Sequence, residues 1–255
     1  MPRHIKVEQA AAVCTITLDR DDKRNAFSDA MSAECIAAFD DAVSQGCAAI
    51  VVRANPAATV WSSGHDLTEI HNAQDLVNDS MFVLFRRIID CPLPVICAID
   101  GDAYAGGFVI AMLSDLVVAT ERSRFCMTIN KMGLPLPIAI YQFCISVLGL
   151  HKAKEMFFTA QLISARDACS QGLVNHVVVS QDELFAKVDA LVGAIAECNP
   201  AGVAFAKNMF NTLTQGVALD EATLKRYESG AQELAASPEL SRRISALIAR
   251  IGGKG

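Results

Sequence analysis

The hydrophobic pattern of this chain alternates between two periods. Residues 13–18 (Val-Cys-Thr-Ile-Thr-Leu) are β-branched and alternate, which predicts a strand. A charged turn follows, Asp19-Arg20-Asp21-Asp22-Lys23-Arg24-Asn25. Ser28 then stands as an N-cap ahead of a helical stripe of Met31, Cys35, Phe39 and Val43. Residues 48–53 predict a second strand, which leads into the turn Ser62-Ser63-Gly64-His65-Asp66. A helix is predicted near 75–90, broken by Cys91-Pro92-Leu93-Pro94 before a strand at 95–99. Gly101-Asp102-Ala103-Tyr104-Ala105-Gly106-Gly107 then opens an apolar helix, followed by a strand at 116–119. The pattern predicts helix from about 138 to 170, closed at Gly172, and a last strand at 173–179. Beyond Gln181 everything reads as helix, punctuated at Asn199-Pro200 and Ser237-Pro238. The class is therefore α/β: an alternating body of about 180 residues with an all-helical tail.

Composition narrows the function. At 255 residues, 52% hydrophobic and 20% charged, the chain can bury a full core. A net charge of −6 argues against nucleic acid as a partner. The nine cysteines lack any repeated spacing and sit mostly in apolar runs, the usage of buried thiols in a reducing compartment. No apolar run reaches signal or membrane-span length, so the expected location is the cytoplasm, without membrane association.

The chemistry concentrates in two turns. Gly106-Gly107 at a helix start offers unpaired N–H groups and a positive dipole end, an anion-stabilising arrangement that also fits a tight packing turn. His65 follows Gly64 at a strand exit. It can serve as an acid/base group, as a hydrogen-bond donor or through its backbone N–H alone, and equally as a packing residue. Thr128 and Asn130 are candidate polar contacts after a strand-like run. Lys23-Arg24 can hold a phosphate or simply be solvated. The spacing of His65, Asp66 and His71 matches no zinc pattern, and no metal is expected.

Five segments, in order along nearly the whole chain, resemble the crotonase superfamily, also called the enoyl-CoA hydratase/isomerase family. They are Arg24-Asn25-Ala26-Phe27, Ser63-Gly64-His65-Asp66-Leu67, residues 101–115, residues 125–133, and Leu162-Ile163-Ser164-Ala165-Arg166-Asp167-Ala168 leading to Gly172-Leu173-Val174. The resemblance implies a spiral of β-β-α turns over 1–195 that binds acyl-CoA, and a helical trimerisation region over 196–255. It also implies a homotrimer or dimer of trimers, and no cofactor beyond the CoA of the substrate. By the same carry-over the N–H groups of His65 and Gly106 form an oxyanion hole for the thioester carbonyl. The resemblance also implies that Arg24, Ala26, Ser63, Asp66, Leu67 and Arg250 lie along the CoA.

Hydratases of the family use two glutamates, at positions occupied here by Val109 and Ile129, so standard hydration is disfavoured. Within the family the pattern is similar to the methylmalonyl-CoA decarboxylase type, sharing Val60-Trp61-Ser62 with Gly64-His65-Asp66, Ser114-Asp115-Leu116, Phe158-Thr159-Ala160 and Asn175-His176-Val177-Val178. That resemblance implies decarboxylation through an enolate, with His65 or Thr128 orienting the carboxylate. The subgroup's tyrosine after Gly-x-Pro is replaced by Leu136, and Tyr141 lies five residues later. Isomerisation or thioester hydrolysis, with Glu69 as a candidate acid/base, and non-catalytic acyl-CoA binding are the alternatives.

Overall fold

The computed structural model describes residues 4–10, 12–69, 79–215 and 238–252, with isolated residues between 221 and 236. Two sheets carry the body. The larger has six strands in the order β1 (Ile5–Ala10), β2 (Val13–Leu18), β3 (Ala49–Ala54), β5 (Val95–Ile99), β7 (Leu116–Thr120) and β10 (His176–Val178). All its pairs are parallel except β1 with β2. The smaller sheet joins β4 (Val60–Ser62), β6 (Asp102–Tyr104), β8 (Arg124–Cys126) and β9 (Ile163–Ser164).

Chain order explains the pairing of sheets. Three successive units each place one strand in the large sheet, the next in the small sheet, and then a helix. They are β3-β4-α2 (Ser80–Asp90), β5-β6-α3 (Gly106–Leu113) and β7-β8-α4 (Ile138–Thr159). This is the expected ββα spiral. Because each parallel step needs a crossover, the residues that leave β4 and the turn between β6 and α3 fall side by side.

Alternation along the strands builds two cores. Ile50, Val52, Cys97 and Ile99 face the main core with α1 (Asp29–Ser44) and α2, whereas Val51, Ile96, Ala98 and Val118 face α6 (Gln181–Ala196) through Leu184 and Val188. β5 is buried on both faces, as its unbroken apolar run requires. Helix α3 is buried all round and forms the centre of the main core.

Some expected boundaries move. The helix expected near 75–90 is α2, with residues 70–78 outside the described residues. The helix expected over 138–170 kinks at Gly149 (φ +73°) and stops at Ala160 (φ +48°), where the chain turns back to pair β9 with β8. Ser164 then caps a new short helix, α5 (Ala165–Ser170), by accepting from the Asp167 N–H. The strand expected at 173–179 shortens to β10, because Asn175 uses both its N–H and its side chain to hold Val117. The polar strand β1, exposed at all but Ile5, carries no strong apolar signal and pairs as an edge. In the tail, α7 (Pro200–Gln215) is anchored by Lys207, whose buried ammonium donates to the Leu93 carbonyl (2.9 Å) and to Asp115 (2.7 Å). The last helix, α8 (Pro238–Gly252), packs beside the 3-10 turn Leu67–Glu69. Among the described residues no single helix is long and apolar enough to cross a membrane.

Candidate active site

Asn25 builds the first wall. Arg24 and Asn25 are both left-handed (φ +53° and +50°), a conformation Asn tolerates because its short amide bonds locally. The buried Asn25 side chain accepts from the Arg20 N–H (2.9 Å) and donates to the Val60 carbonyl (3.3 Å), while its own carbonyl accepts from Ser62 Oγ (2.8 Å). These bonds tie the charged turn to β4. A two-residue ladder continues it: Phe27 N–H donates to the Gly64 carbonyl and Asp66 N–H to the Phe27 carbonyl, each 2.8 Å. The ladder uses the amides on either side of His65 and leaves the His65 N–H aside.

The second wall is the α3 N-terminus. Ala105 adopts φ +45°, ψ −114°, a conformation that costs an alanine about 1–3 kcal/mol and is held by its N–H donating to the Cys126 carbonyl (2.9 Å). That torsion sets the direction of the following Gly106 N–H, in the unpaired first turn of the helix. Gly64 (φ +93°) lets the two walls approach: a Cβ on it would stand 2.8 Å from the Gly106 nitrogen. A Cβ on Gly106 would lie 3.4 Å from the His65 nitrogen. No hydrogen bond among the described residues takes the N–H of His65 or of Gly106. Two adjacent unpartnered amides, one at a helix N-terminus, make a place where a developing oxygen anion is stabilised.

The imidazole of His65 faces away from that duty. Its Nδ1 is 2.9 Å from the Asp66 carbonyl and its Nε2 is 2.9 Å from a carboxylate oxygen of Asp79, the N-cap of α2. Burial pulls its pKa down, but the Asp79 hydrogen bond and charge, the Asp66 carbonyl and the charge of Asp29 outweigh it and raise the pKa above the ordinary histidine value. Burial would push the Asp79 carboxyl up, yet its bonds to His65 and to the Met81 and Phe82 amides hold it below the usual range. Asp79 carried no motif that sequence reading could find.

Thr128 is half-buried, two residues beyond the Cys126 carbonyl that holds Ala105. It opens the 3-10 turn Ile129–Lys131 without capping it. Val109 and Ile129 are 1% and 6% exposed and belong to the main core. Asn130 donates to the Phe157 carbonyl (2.8 Å), a structural bond rather than a free contact. Tyr141 is half-buried, tilted against Phe157, with its hydroxyl bonded to the Leu136 main chain. Glu69 accepts from the Asp29 N–H (2.6 Å) and so caps α1, a different duty from the acid/base one considered above.

The remaining sequence-predicted residues are spread over the charged turn, the His65 turn and the last helix. Ser63 is half-buried and donates its N–H to the Arg24 carbonyl (3.0 Å). Ala26 is buried, its carbonyl accepting from Arg20 (2.7 Å). The Asp66 carboxylate receives Arg20 (2.8 Å) and Thr68 (2.7 Å), bonds that outweigh burial and keep its pKa low. Arg20 is thus a site residue the sequence did not mark. Leu67 packs half-buried on the main core, and the exposed Arg250 lies on α8, the helix beside the Leu67 turn. Arg24 is exposed and near Asp102. All nine cysteines are unpaired thiols. His71 lies outside the described residues. Among the described residues no group of three or more His, Cys, Asp or Glu side chains could hold a metal ion.

Known proteins resemble this chain along nearly its whole length. The profile of the enoyl-CoA hydratase/isomerase family matches residues 8–233. The methylmalonyl-CoA decarboxylase of Escherichia coli (strain K12) is 26% identical over 96% of this chain and 95% of its own length. The short-chain-enoyl-CoA hydratase of Clostridium acetobutylicum is 26% identical over 89% of this chain and 87% of its own length. A solved structure of methylmalonyl-CoA decarboxylase in complex with 2-nitronate-propionyl-CoA superposes with a TM-score of 0.92 at 25% identity, covering 97% of this chain and 96% of that one. The enoyl-CoA hydratase of Bacillus halodurans shares the fold, with a TM-score of 0.80 at 19% identity over 95% of this chain and 99% of its own. The chain therefore belongs to the enoyl-CoA hydratase/isomerase family, the acyl-CoA enzymes of the crotonase fold.

Proposed function

We propose that the chain decarboxylates a methylmalonyl-CoA-like thioester. The observation that carries this reading is the pair of unpartnered N–H groups, His65 and Gly106, in a site where the two positions of the hydratase glutamates are the core residues Val109 and Ile129. Hydration needs a group that deprotonates water. Loss of CO2 needs only a sink for electrons: the C–C bond to the carboxylate breaks, its electron pair moves into the thioester, and the carbonyl oxygen becomes an enolate oxygen. Two amide donors stabilise that oxygen, each worth about 10²–10³ in rate. The apolar wall at Val109 and Ile129 weakens solvation of the carboxylate before CO2 leaves. Thr128 orients the carboxylate, and solvent then protonates the α-carbon.

In this reading Arg24, the Ala26 main chain, Ser63, Asp66, Leu67 and Arg250 follow the CoA, and no other cofactor takes part. The exposed apolar side chains Phe205, Phe210 and Leu213 on α7 (66%, 70% and 76% exposed) suit burial in a homotrimer or a dimer of trimers, assembled by the region 196–255 against the 1–195 core. A net charge of −6 and nine free thiols suit a cytoplasmic enzyme with no nucleic-acid or membrane partner.

Incubation with methylmalonyl-CoA followed by mass spectrometry tests the reading, and propionyl-CoA is the expected product. Unchanged substrate, with malonyl-CoA also inert, would overturn it. Hydration of crotonyl-CoA in the same assay would instead favour the chemistry named for the hydratase relatives.

A further inference from the structure

We propose that Asp79 is a positioning residue of the oxyanion site, holding the His65 side chain so that the His65 N–H stays aligned with that of Gly106. The proposal rests on the oxyanion role argued above. Its basis is that one helical turn touches both donors. Asp79 reaches His65 Nε2 with both carboxylate oxygens, at 3.0 and 2.9 Å, while accepting from the Met81 N–H at 2.9 Å. Met81, two residues on, is buried against Gly106: a Cβ on that glycine would fall 2.2 Å from the Met81 methyl carbon.

The ring is fixed at two points. A carbonyl only accepts, so Nδ1 carries the proton in its 2.9 Å contact with the Asp66 carbonyl. Nε2 meets a carboxylate and is protonated as well, so the ring is an imidazolium in a charge-assisted pair. A side chain tethered at both nitrogens is held in one rotamer, and because rotamer and φ/ψ are coupled this restrains the backbone that carries the His65 N–H.

The charges around it agree. Asp79 faces the ring from α2 and Asp29 from α1, while the neighbouring Asp66 is neutralised by Arg20. Asp29 is itself tied to both flanking elements, its N–H to Glu69 and its carboxylate to Ser80 Oγ (2.7 Å).

Asp79→Asn is the deciding variant. Asparagine caps a helix as well as aspartate does, so α2 and the fold persist. NMR of labelled histidine should show the His65 ring losing its proton at lower pH than in the parent. Addition of propionyl-CoA should shift the His65 and Gly106 amide resonances in the parent, with the His65 shift much reduced in the variant. With methylmalonyl-CoA, kcat should fall at least about tenfold while KM changes less than about threefold, the pattern of an interaction made in the transition state. In a His65→Ala background, Asp79→Asn should cost nothing more, since it acts through that ring.

An unchanged ring titration and kcat, an equal loss in the His65→Ala background, or amides unmoved by propionyl-CoA would each overturn the proposal. If the parent decarboxylates nothing yet its amides respond to propionyl-CoA and Asp79→Asn abolishes the His65 response, the positioning role stands and the decarboxylase reading falls.

Discussion

Gly64 and Gly106 are in backbone contact across the site: a single Cβ on Gly64 would sit 2.8 Å from the Gly106 nitrogen, with φ at Gly64 already +93°. The approach of β4 to the α3 N-terminus is therefore limited by one missing methyl group. Gly64→Ala should cost roughly 1–3 kcal/mol of stability, from positive φ and crowding. It should also lower kcat about 10²-fold, because the Gly106 N–H is displaced or covered. Urea unfolding beside thioester kinetics checks both.

Thr128 tests the polar contact. Thr128→Val keeps the shape and removes the hydroxyl, which caps nothing in the fold. Stability should stay within about 1 kcal/mol of the parent, as for a partly exposed site. If Thr128 orients the departing carboxylate, kcat on methylmalonyl-CoA should fall about tenfold, the equivalent of one hydrogen bond. Steady-state kinetics with both proteins at one pH decides it.

Lys207 anchors the tail. The residue is 7% exposed, and its ammonium donates to the Leu93 carbonyl and to Asp115, a carboxylate that also holds the Val95 N–H (2.7 Å). Lys207→Met removes the charge and leaves those acceptors short of a donor. The expected cost is about 2–4 kcal/mol, below that of a fully buried pair because Asp115 is partly exposed. Denaturant unfolding measures it, and limited proteolysis should show earlier cleavage near 197–199, where α7 leaves the body.

The His65–Asp79 pair predicts a pH window for stability. The folded pKa of His65 is raised, so its contribution is complete below the unfolded value near 6.5 and is lost as pH rises through the folded value. The folded pKa of Asp79 is lowered, so its contribution is complete above the unfolded value near 3.9 and is lost as pH falls through the folded one. The pair thus stabilises most between about pH 4 and 6.5. Unfolding midpoints across pH 3–9 should show a drop on the alkaline side that is smaller in Asp79→Asn.

Arg20→Ala should release the Ala26 carbonyl and Asp66 together. The loss of about 1–3 kcal/mol should be greatest near neutral pH, where Asp66 is ionised. It should shrink as pH falls through the lowered Asp66 value, because the parent loses the same bond there. Thermal melts of both proteins from pH 3 to 7 measure the difference.

Local pattern was enough for the elements with strong periodicity. Ser28 capping α1, the buried β5 run and the Gly106-Gly107 helix start are all written in short stretches, because caps, alternation and glycine turns act within a few residues. The three-residue strands β4, β6 and β8 are too short to show a period, and the break at Ala160 exists only because β9 has β8 to pair with. Of the candidate site, the two turns that carry His65 and Gly106 were legible as turns, and Thr128 only as a polar position after a strand. Arg20 and Asp79 were not, since an arginine in a charged turn and an aspartate before a helix look like any solvated turn or cap until their partners are in place.

The sequence by itself determined an alternating α/β body with a helical tail, the two glycine turns, and aliphatic residues at Val109 and Ile129, while the spiral was what the family resemblance implied. The body, the tail and the turns follow from side-chain chemistry and short-range backbone preference. Only the tertiary structure decided that the two turns meet amide to amide, that the His65 ring is held on Asp79 rather than left free, and that Ala105 is strained to aim the Gly106 N–H. Gly64 and Gly106, 42 positions apart, meet because successive ββα turns stack, whereas His65 and Asp79, 14 apart, meet because α2 returns its N-terminus to the exit of β4.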